Sequence, residues 1–209
     1  MKRTVTFGEI MLRLKTPEHM RILQTDAFEA SYGGAEANVA VSLAVLKDPV
    51  SFVTKLPENP VGTAALNEVR RYGADTSKVV IGGSRLGIYF FEKGTDIRPT
   101  NVVYDREGSA LALAKPEEFH WDEILKDTDI FYFSGVTPAV SENIAKAVLE
   151  ALKYCKAHGI ETVCDLNYRS KMWDTKKAQS VMSELMNYVT LCIANDEDFE
   201  SSLGIHAYD

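Results

Sequence analysis

The sequence predicts an α/β fold built on a mostly parallel sheet, with a small β layer set apart from it. Two observations carry this. In the second half, short apolar runs alternate with stretches of helical period. In the first half, two strand-like runs, Leu86 to Glu92 and Asn101 to Tyr104, are separated by the turn-rich Lys93-Gly94-Thr95-Asp96-Ile97-Arg98-Pro99-Thr100. That pair reads as a β excursion from an α/β core, of the kind that covers a site or pairs with another subunit.

In chain order, Thr4 to Phe7 is expected as a core strand. Ala35 to Leu46 is apolar nearly all round and predicts a buried helix. Val50 to Thr54 is a strand, and Val61 to Tyr72 an amphipathic helix ended by Gly73. Asp129 to Phe133 is a short apolar run that reads as a buried strand. Ser141 can cap a helix with Ile144, Val148, Leu152 and Cys155 on one face, ended by Gly159. Ile160 to Cys164 is another strand, followed by a helix capped by Asp174 with Ala178, Val181, Met182, Leu185 and Met186 at helical spacing. Thr190 to Ala194 is a further strand, with a last helix starting near Asp196. Strands and helices alternating in this way imply right-handed crossovers and a sheet covered on both faces.

The composition excludes several classes. The 209 residues are 45% hydrophobic and 25% charged, ordinary for a globular domain, and the formal net charge is -7. No run rich in lysine and arginine marks a nucleic-acid surface. An acidic balance still permits an anionic ligand, because a few placed arginines and helix N-termini suffice. Met1-Lys2-Arg3 leads straight into a strand-like run, and no stretch reaches the roughly 18 apolar residues that span a bilayer. The three cysteines, Cys155, Cys164 and Cys192, lack metal-ligand spacing and read as reduced, buried residues. Together with scattered histidines, these features predict a cytoplasmic protein without a histidine metal site.

The most informative segment is Ser31-Tyr32-Gly33-Gly34-Ala35-Glu36-Ala37-Asn38-Val39-Ala40. Two glycines before a helix let a ligand approach the backbone, and the first turn's N–H groups then face it. Asn38, one turn in, offers a donor and an acceptor to a polyol. The same residues equally describe a glycine turn leading into a packed helix. The spacing is not that of a dinucleotide fingerprint, and no P-loop run occurs.

The pattern G-G-x-x-x-N-x-A resembles the first signature of the PfkB family of carbohydrate kinases. Four further blocks are similar to its 2-keto-3-deoxygluconate kinases and run in family order. They are Gly8-Glu9-Ile10-Met11-Leu12-Arg13-Leu14, Tyr104-Asp105-Arg106-Glu107-Gly108-Ser109-Ala110, Ser134-Gly135-Val136-Thr137-Pro138-Ala139, and Asp165-Leu166-Asn167-Tyr168-Arg169 followed by Trp173. The resemblance implies a ribokinase-like three-layer α/β/α core with a small β-sheet lid, drawn from about 9–32 and 86–104, in one kinase domain over 1–209. It also implies transfer of the ATP γ-phosphoryl group to 2-keto-3-deoxygluconate, with Mg2+ as cofactor.

On this resemblance Gly33, Gly34, Asn38, Tyr89, Tyr104 and Val136 line the sugar, and Arg106 and Arg169 meet its carboxylate. Read by chemistry alone, fork-shaped guanidinium donors suit a carboxylate. An exposed hairpin charge at Arg106 and a packed β layer at Tyr89 and Tyr104 remain the alternatives. Asn167, Asn195 and Asp198 are the implied nucleotide-side residues. The family has a glutamate where this chain has Asp198, one methylene shorter. No metal ligands are assigned within the chain.

The family's catalytic base is an aspartate in a G-A-G-D motif. Gly73-Ala74-Asp75 matches a different, structural block, so the base is expected beyond Asp209 and the chain reads as truncated at its C-terminus. Alone it is expected to be inactive, with an exposed sheet edge. Alternatives are another PfkB kinase such as a fructokinase, or a non-catalytic sugar-binding short form. A nicotinamide oxidoreductase is disfavoured by the missing fingerprint. The expected partners are a sugar acid and ATP, without nucleic acid or membrane, with a homodimer through the lid.

Overall fold

The computed structural model describes residues 2–206. The chain starts with β1 (Thr4–Phe7), β2 (Met11–Lys15), β3 (Glu29–Gly33), α1 (Ala35–Val45), β4 (Val50–Val53), β5 (Lys55–Leu56), α2 (Pro60–Arg70), β6 (Val80–Ile81), β7 (Ile88–Glu92) and β8 (Asn101–Asp105). It continues with α3 (Trp121–Ile124), β9 (Ile130–Ser134), α4 (Val136–Val140), α5 (Glu142–His158), β10 (Glu161–Asp165), α6 (Thr175–Met186), β11 (Leu191–Ile193) and α7 (Asp196–Leu203).

Three sheets result. The central one is five-stranded and parallel, in the order β11-β10-β9-β1-β4. The second is the separate layer, in the order β3-β2-β7-β8. Its central pair β2 and β7 is parallel, and both outer pairs are antiparallel. The third is a two-stranded parallel piece, β5 with β6. The sequence reading contained neither this small pair nor the five-residue helix α4.

Alternation along the central strands builds two cores. Val5, Phe7, Val53, Phe131 and Phe133 point to one face and pack with Leu152, Met182 and Leu185 of α5 and α6. Phe52 and Val50 point to the other face, beneath Ala37, Ala40 and Ala44 of α1 and Ala65 and Val69 of α2. A parallel sheet buried on both faces needs this double set of apolar side chains. Phe7 is fully buried between the rings of Phe119 at 4.9 Å and Trp121 at 5.1 Å, both edge-on.

The expected caps form. Ser141 accepts from the Ile144 N–H at 3.3 Å, Gly159 takes the left-handed conformation that ends α5, and Asp174 accepts from the Lys177 N–H at 2.7 Å. Two expectations need correction. Helix α1 is not buried all round: it lays small alanines on the sheet, so Val45 and Leu46 stand exposed while its one charged residue, Glu36, is 1% exposed. Cys192 is half-buried rather than buried, because β11 is the edge strand; Cys155 and Cys164 are fully enclosed. On that edge Leu191 and Ile193 are about half exposed, as expected for a strand with one free side.

Replacing Phe7 by Ala should cost about 3–5 kcal/mol, read as a lowered midpoint in urea unfolding, because the ring leaves a cavity between two aromatic neighbours. A cost under about 1 kcal/mol would mean that this aromatic cluster repacks freely.

Candidate functional site

The C-terminal ends of β1, β9 and β10 point to the same side of the central sheet, where open α/β sheets place ligands. The separate β layer stands over these ends. Between them lies a cavity of about 730 Å³.

Gly33, Gly34 and Asn38 line it from the turn into α1, and Tyr89, Tyr104 and Arg106 from the β layer. Val136, Asn167 and Arg169 line it from the loops after β9 and β10. These residues span more than 130 positions of sequence, and the fold brings them to one concave surface. Asn195 and Asp198 do not line this cavity. Sequence reasoning also passed over Arg13, Lys171 and Met172, which share its wall.

The glycine turn has a more specific cause than ligand approach. A Cβ at Gly34 would sit 1.9 Å from the backbone oxygen of Glu9, so the close crossing of two chain segments requires glycine there. A Cβ at Gly33 would meet only the Asn38 Oδ1 and the Tyr89 hydroxyl, each at 3.8 Å, an ordinary contact. Gly33 therefore leaves space open beside Tyr89, whereas Gly34 is fixed by packing.

Two buried carboxylates hold the walls. Glu36 Oε1 accepts from the Ser134 N–H at 2.8 Å, from the Ser134 hydroxyl, and from the Thr137 hydroxyl at 2.9 Å. It thereby ties the first turn of α1 to the end of β9 and to α4. Its second oxygen lies so close to Gly8 that a Cβ there would come within 2.0 Å of it. Burial raises the Glu36 pKa, against the pull of its hydrogen bonds.

Glu9 is the second carboxylate. It forms an ion pair with Arg106 and accepts from the Ser109 hydroxyl, and its side chain is 4% exposed. Arg106 also directs Nη1 at the Met172 sulfur, 3.2 Å away. Both glutamates fall within the family-like blocks, yet nothing in those blocks shows that their side chains would be buried and paired. The signal available was a lone acidic residue in an otherwise apolar segment.

Around the cavity the surface is cationic and aromatic. The Tyr89 and Tyr104 rings lie 5.8 Å apart. Lys171 Nζ donates to the Val102 carbonyl at 3.0 Å and sits 5.9 Å from the Tyr104 ring. Burial raises the Tyr89 pKa, with the Arg13 charge opposing.

Asn195 and Asp198, implied by the resemblance as nucleotide-side residues, bond to one another. Asn195 caps α7, accepting from the Asp198 N–H at 2.8 Å and donating to the Asp198 carboxylate at 3.1 Å. Asp198 Oδ1 accepts from the Tyr168 N–H at 3.1 Å. Asp198 thus joins α7 to the loop after β10, while the Asn195 side chain is spent on capping α7 and holding Asp198. Asp165 lies nearby, its pKa raised by burial and by the Asp198 charge, with the Asn167 N–H and Arg169 opposing. Among the described residues no group of three or more acidic, histidine or cysteine side chains could hold a metal ion. Asn167, held at φ 37°, opens onto the cavity.

Among the described residues no helix is long and apolar enough to cross a membrane. The profile of the pfkB family carbohydrate kinases matches residues 1–207. The chain is 38% identical to the 2-dehydro-3-deoxygalactonokinase of Haloferax volcanii, covering 96% of this chain and 63% of that one. Its structure superposes on that of the 2-dehydro-3-deoxygluconokinase of Thermotoga maritima with a TM-score of 0.96 at 49% identity, over 99% of this chain and 63% of that one. A PfkB family carbohydrate kinase from Listeria grayi gives 0.95 at 36% identity, over 100% and 65%. The chain thus spans a little under two thirds of the length of these relatives.

Because the raised Glu36 pKa means that folding favours the protonated acid, this group's contribution falls as pH rises from the ordinary glutamate value, about 4.3, towards its raised folded value. Substituting Glu36→Gln should remove that slope. Urea unfolding of both chains between about pH 4 and about pH 8 should show the variant gaining relative stability as pH rises. A constant difference across this range would mean that the carboxyl titrates normally in the fold.

Proposed function

We propose that this chain, which belongs to the pfkB family of carbohydrate kinases, binds a 2-keto-3-deoxy sugar acid, 2-keto-3-deoxygluconate foremost, as the acceptor of the ATP γ-phosphoryl group. Residues 1–209 are taken as one kinase domain, with a lid from the strands of the separate sheet. The observation that carries the reading is the convergence of Arg106 and Arg169 with Tyr89, Tyr104 and the Gly33–Gly34 turn on one cavity.

The chemistry follows from these residues. A sugar acid brings one carboxylate and several hydroxyls. Arg169, exposed on the loop after β10, is free to offer two parallel N–H donors to the carboxylate. Arg106 approaches from the lid already oriented, because Glu9 and Met172 fix its guanidinium. Asn38, with an exposed side chain on the first turn of α1, can both donate to and accept from hydroxyls. The tyrosines give the sugar an apolar wall that excludes water from one side. Together these residues bind and orient the acceptor, which is the greater part of what a phosphoryl-transfer enzyme must do.

ATP and Mg2+ are proposed as the co-substrate and its ion. Asn167, Asn195 and Asp198 lie at the ends of β10 and β11, on the side where the phosphates would approach. The side-chain ties of Asn195 and Asp198 argue that they position the loop after β10 rather than ligate the ion directly. Magnesium bound mainly through nucleotide phosphates and water needs few protein ligands. Pairing of the lid with a second subunit is supported by its face away from the cavity, where Leu14, Phe90 and Val103 stand side by side and Val103 is 47% exposed.

The relatives suggest two acid substrates that differ in configuration at a single carbon, the gluconate and the galactonate forms. The cationic site accounts for the acid and leaves that choice open to the hydroxyl contacts.

Calorimetry tests the reading. The chain should bind 2-keto-3-deoxygluconate and discriminate strongly against fructose. An Arg169→Gln variant should weaken acid binding about 10- to 100-fold, the range of one charge-assisted bidentate contact. Equal affinity for the acid and the neutral ketose would favour a fructokinase-like site instead.

A further inference from the structure

Arg13 has no place in the site as read from the sequence, yet its surroundings single it out. It lies on β2, in register with Ser31 of β3 and Tyr89 of β7, and Tyr89 is in register with Tyr104 of β8. These four residues form one row across the lid. Because strand residues alternate between faces, the row faces the cavity that Tyr89, Tyr104 and Arg13 line.

The guanidinium carbon of Arg13 sits 4.3 Å above the centre of the Phe91 ring. Stacking of this kind fixes the plane of the group and leaves its edge free for hydrogen bonds. Nε is shut off from solvent and has no hydrogen-bond partner, and no carboxylate among the described residues lies within salt-bridge distance of Arg13.

The other cations of the cavity differ in this respect. Arg106 is offset by Glu9, Lys171 is held by the Val102 carbonyl, and Arg169 stands exposed to water. Arg13 alone combines partial burial, a fixed plane and the absence of a protein anion. Desolvating a charge without a partner is costly, and such a group is stabilised when a ligand brings the missing anion.

We propose that Arg13 is a specificity-determining residue that meets the carboxylate of the acceptor from the lid side, opposite Arg169. The inference rests on the reading of this cavity as a sugar-acid site and adds to it the residue that selects acid over neutral sugar. A fixed guanidinium edge suits a planar carboxylate, whereas a neutral ketose gives it only hydroxyl oxygens and leaves the charge uncompensated.

Arg13→Gln and Arg13→Lys variants of the 209-residue chain, titrated by calorimetry with 2-keto-3-deoxygluconate and with fructose, test this. The glutamine variant should bind the acid about 10- to 100-fold more weakly with fructose binding little changed, and lysine should recover part of the loss. The acid-to-ketose ratio serves as the internal control, since a misfolded lid would lower both affinities together. An unchanged ratio in the glutamine variant, whether both affinities fall or neither does, overturns the role of Arg13. Failure of the unaltered chain to bind the acid at all would instead overturn the sugar-acid reading, and this inference with it.

Discussion

A single carboxylate, Glu36, sets the geometry on which the cavity depends. It is fully enclosed beneath the first turn of α1 and takes its donors from the end of β9 and from α4. Three pieces of chain that each contribute to the cavity are thereby held at fixed spacing. Burying an ionisable group costs free energy that its hydrogen bonds must offset, so a fold keeps such a group where position matters more than stability. Here the position secured is that of the turn carrying Gly33 and Gly34 against the central sheet.

Glu9 plays a parallel part for the lid. It follows directly on β1 and Gly8, yet its charge reaches Arg106 beyond β8 and the hydroxyl of Ser109. The buried pair orients a guanidinium that would otherwise be a mobile hairpin side chain. Removing either partner strands a charge in a dry place, which is more damaging than the modest net strength of the pair suggests. The two glutamates thus divide the work: one fixes the core side of the cavity, the other the lid side.

Much of this was legible in the sequence because local chemistry and tertiary packing agree there. Ser141, Asp174 and Gly159 mark helix ends by their own side-chain or backbone properties, and those ends stand where expected. The strands read from Asp129 to Phe133 and from Ile160 to Cys164 carry uninterrupted apolar or alternating patterns. What escaped depends on packing at a distance. An apolar face on α1 does not reveal that alanines rather than Val45 and Leu46 would meet the sheet. Glu9, Glu36 and Arg13 gain their meaning only from partners brought in by the fold, 97 to 101 positions away for the two glutamates.

The tether between Lys171 and the Val102 carbonyl, with the contact of Arg106 to Met172, joins the loop after β10 to the far strand of the lid. A sheet anchored at both margins of a cleft cannot swing aside like a door on one hinge. A molecule entering between them would meet these ties, one of them made by lysine, a side chain long enough to follow the backbone as it shifts. Admission and release would then hinge on how briskly that latch exchanges with water, so loop and lid should be regarded as one moving part.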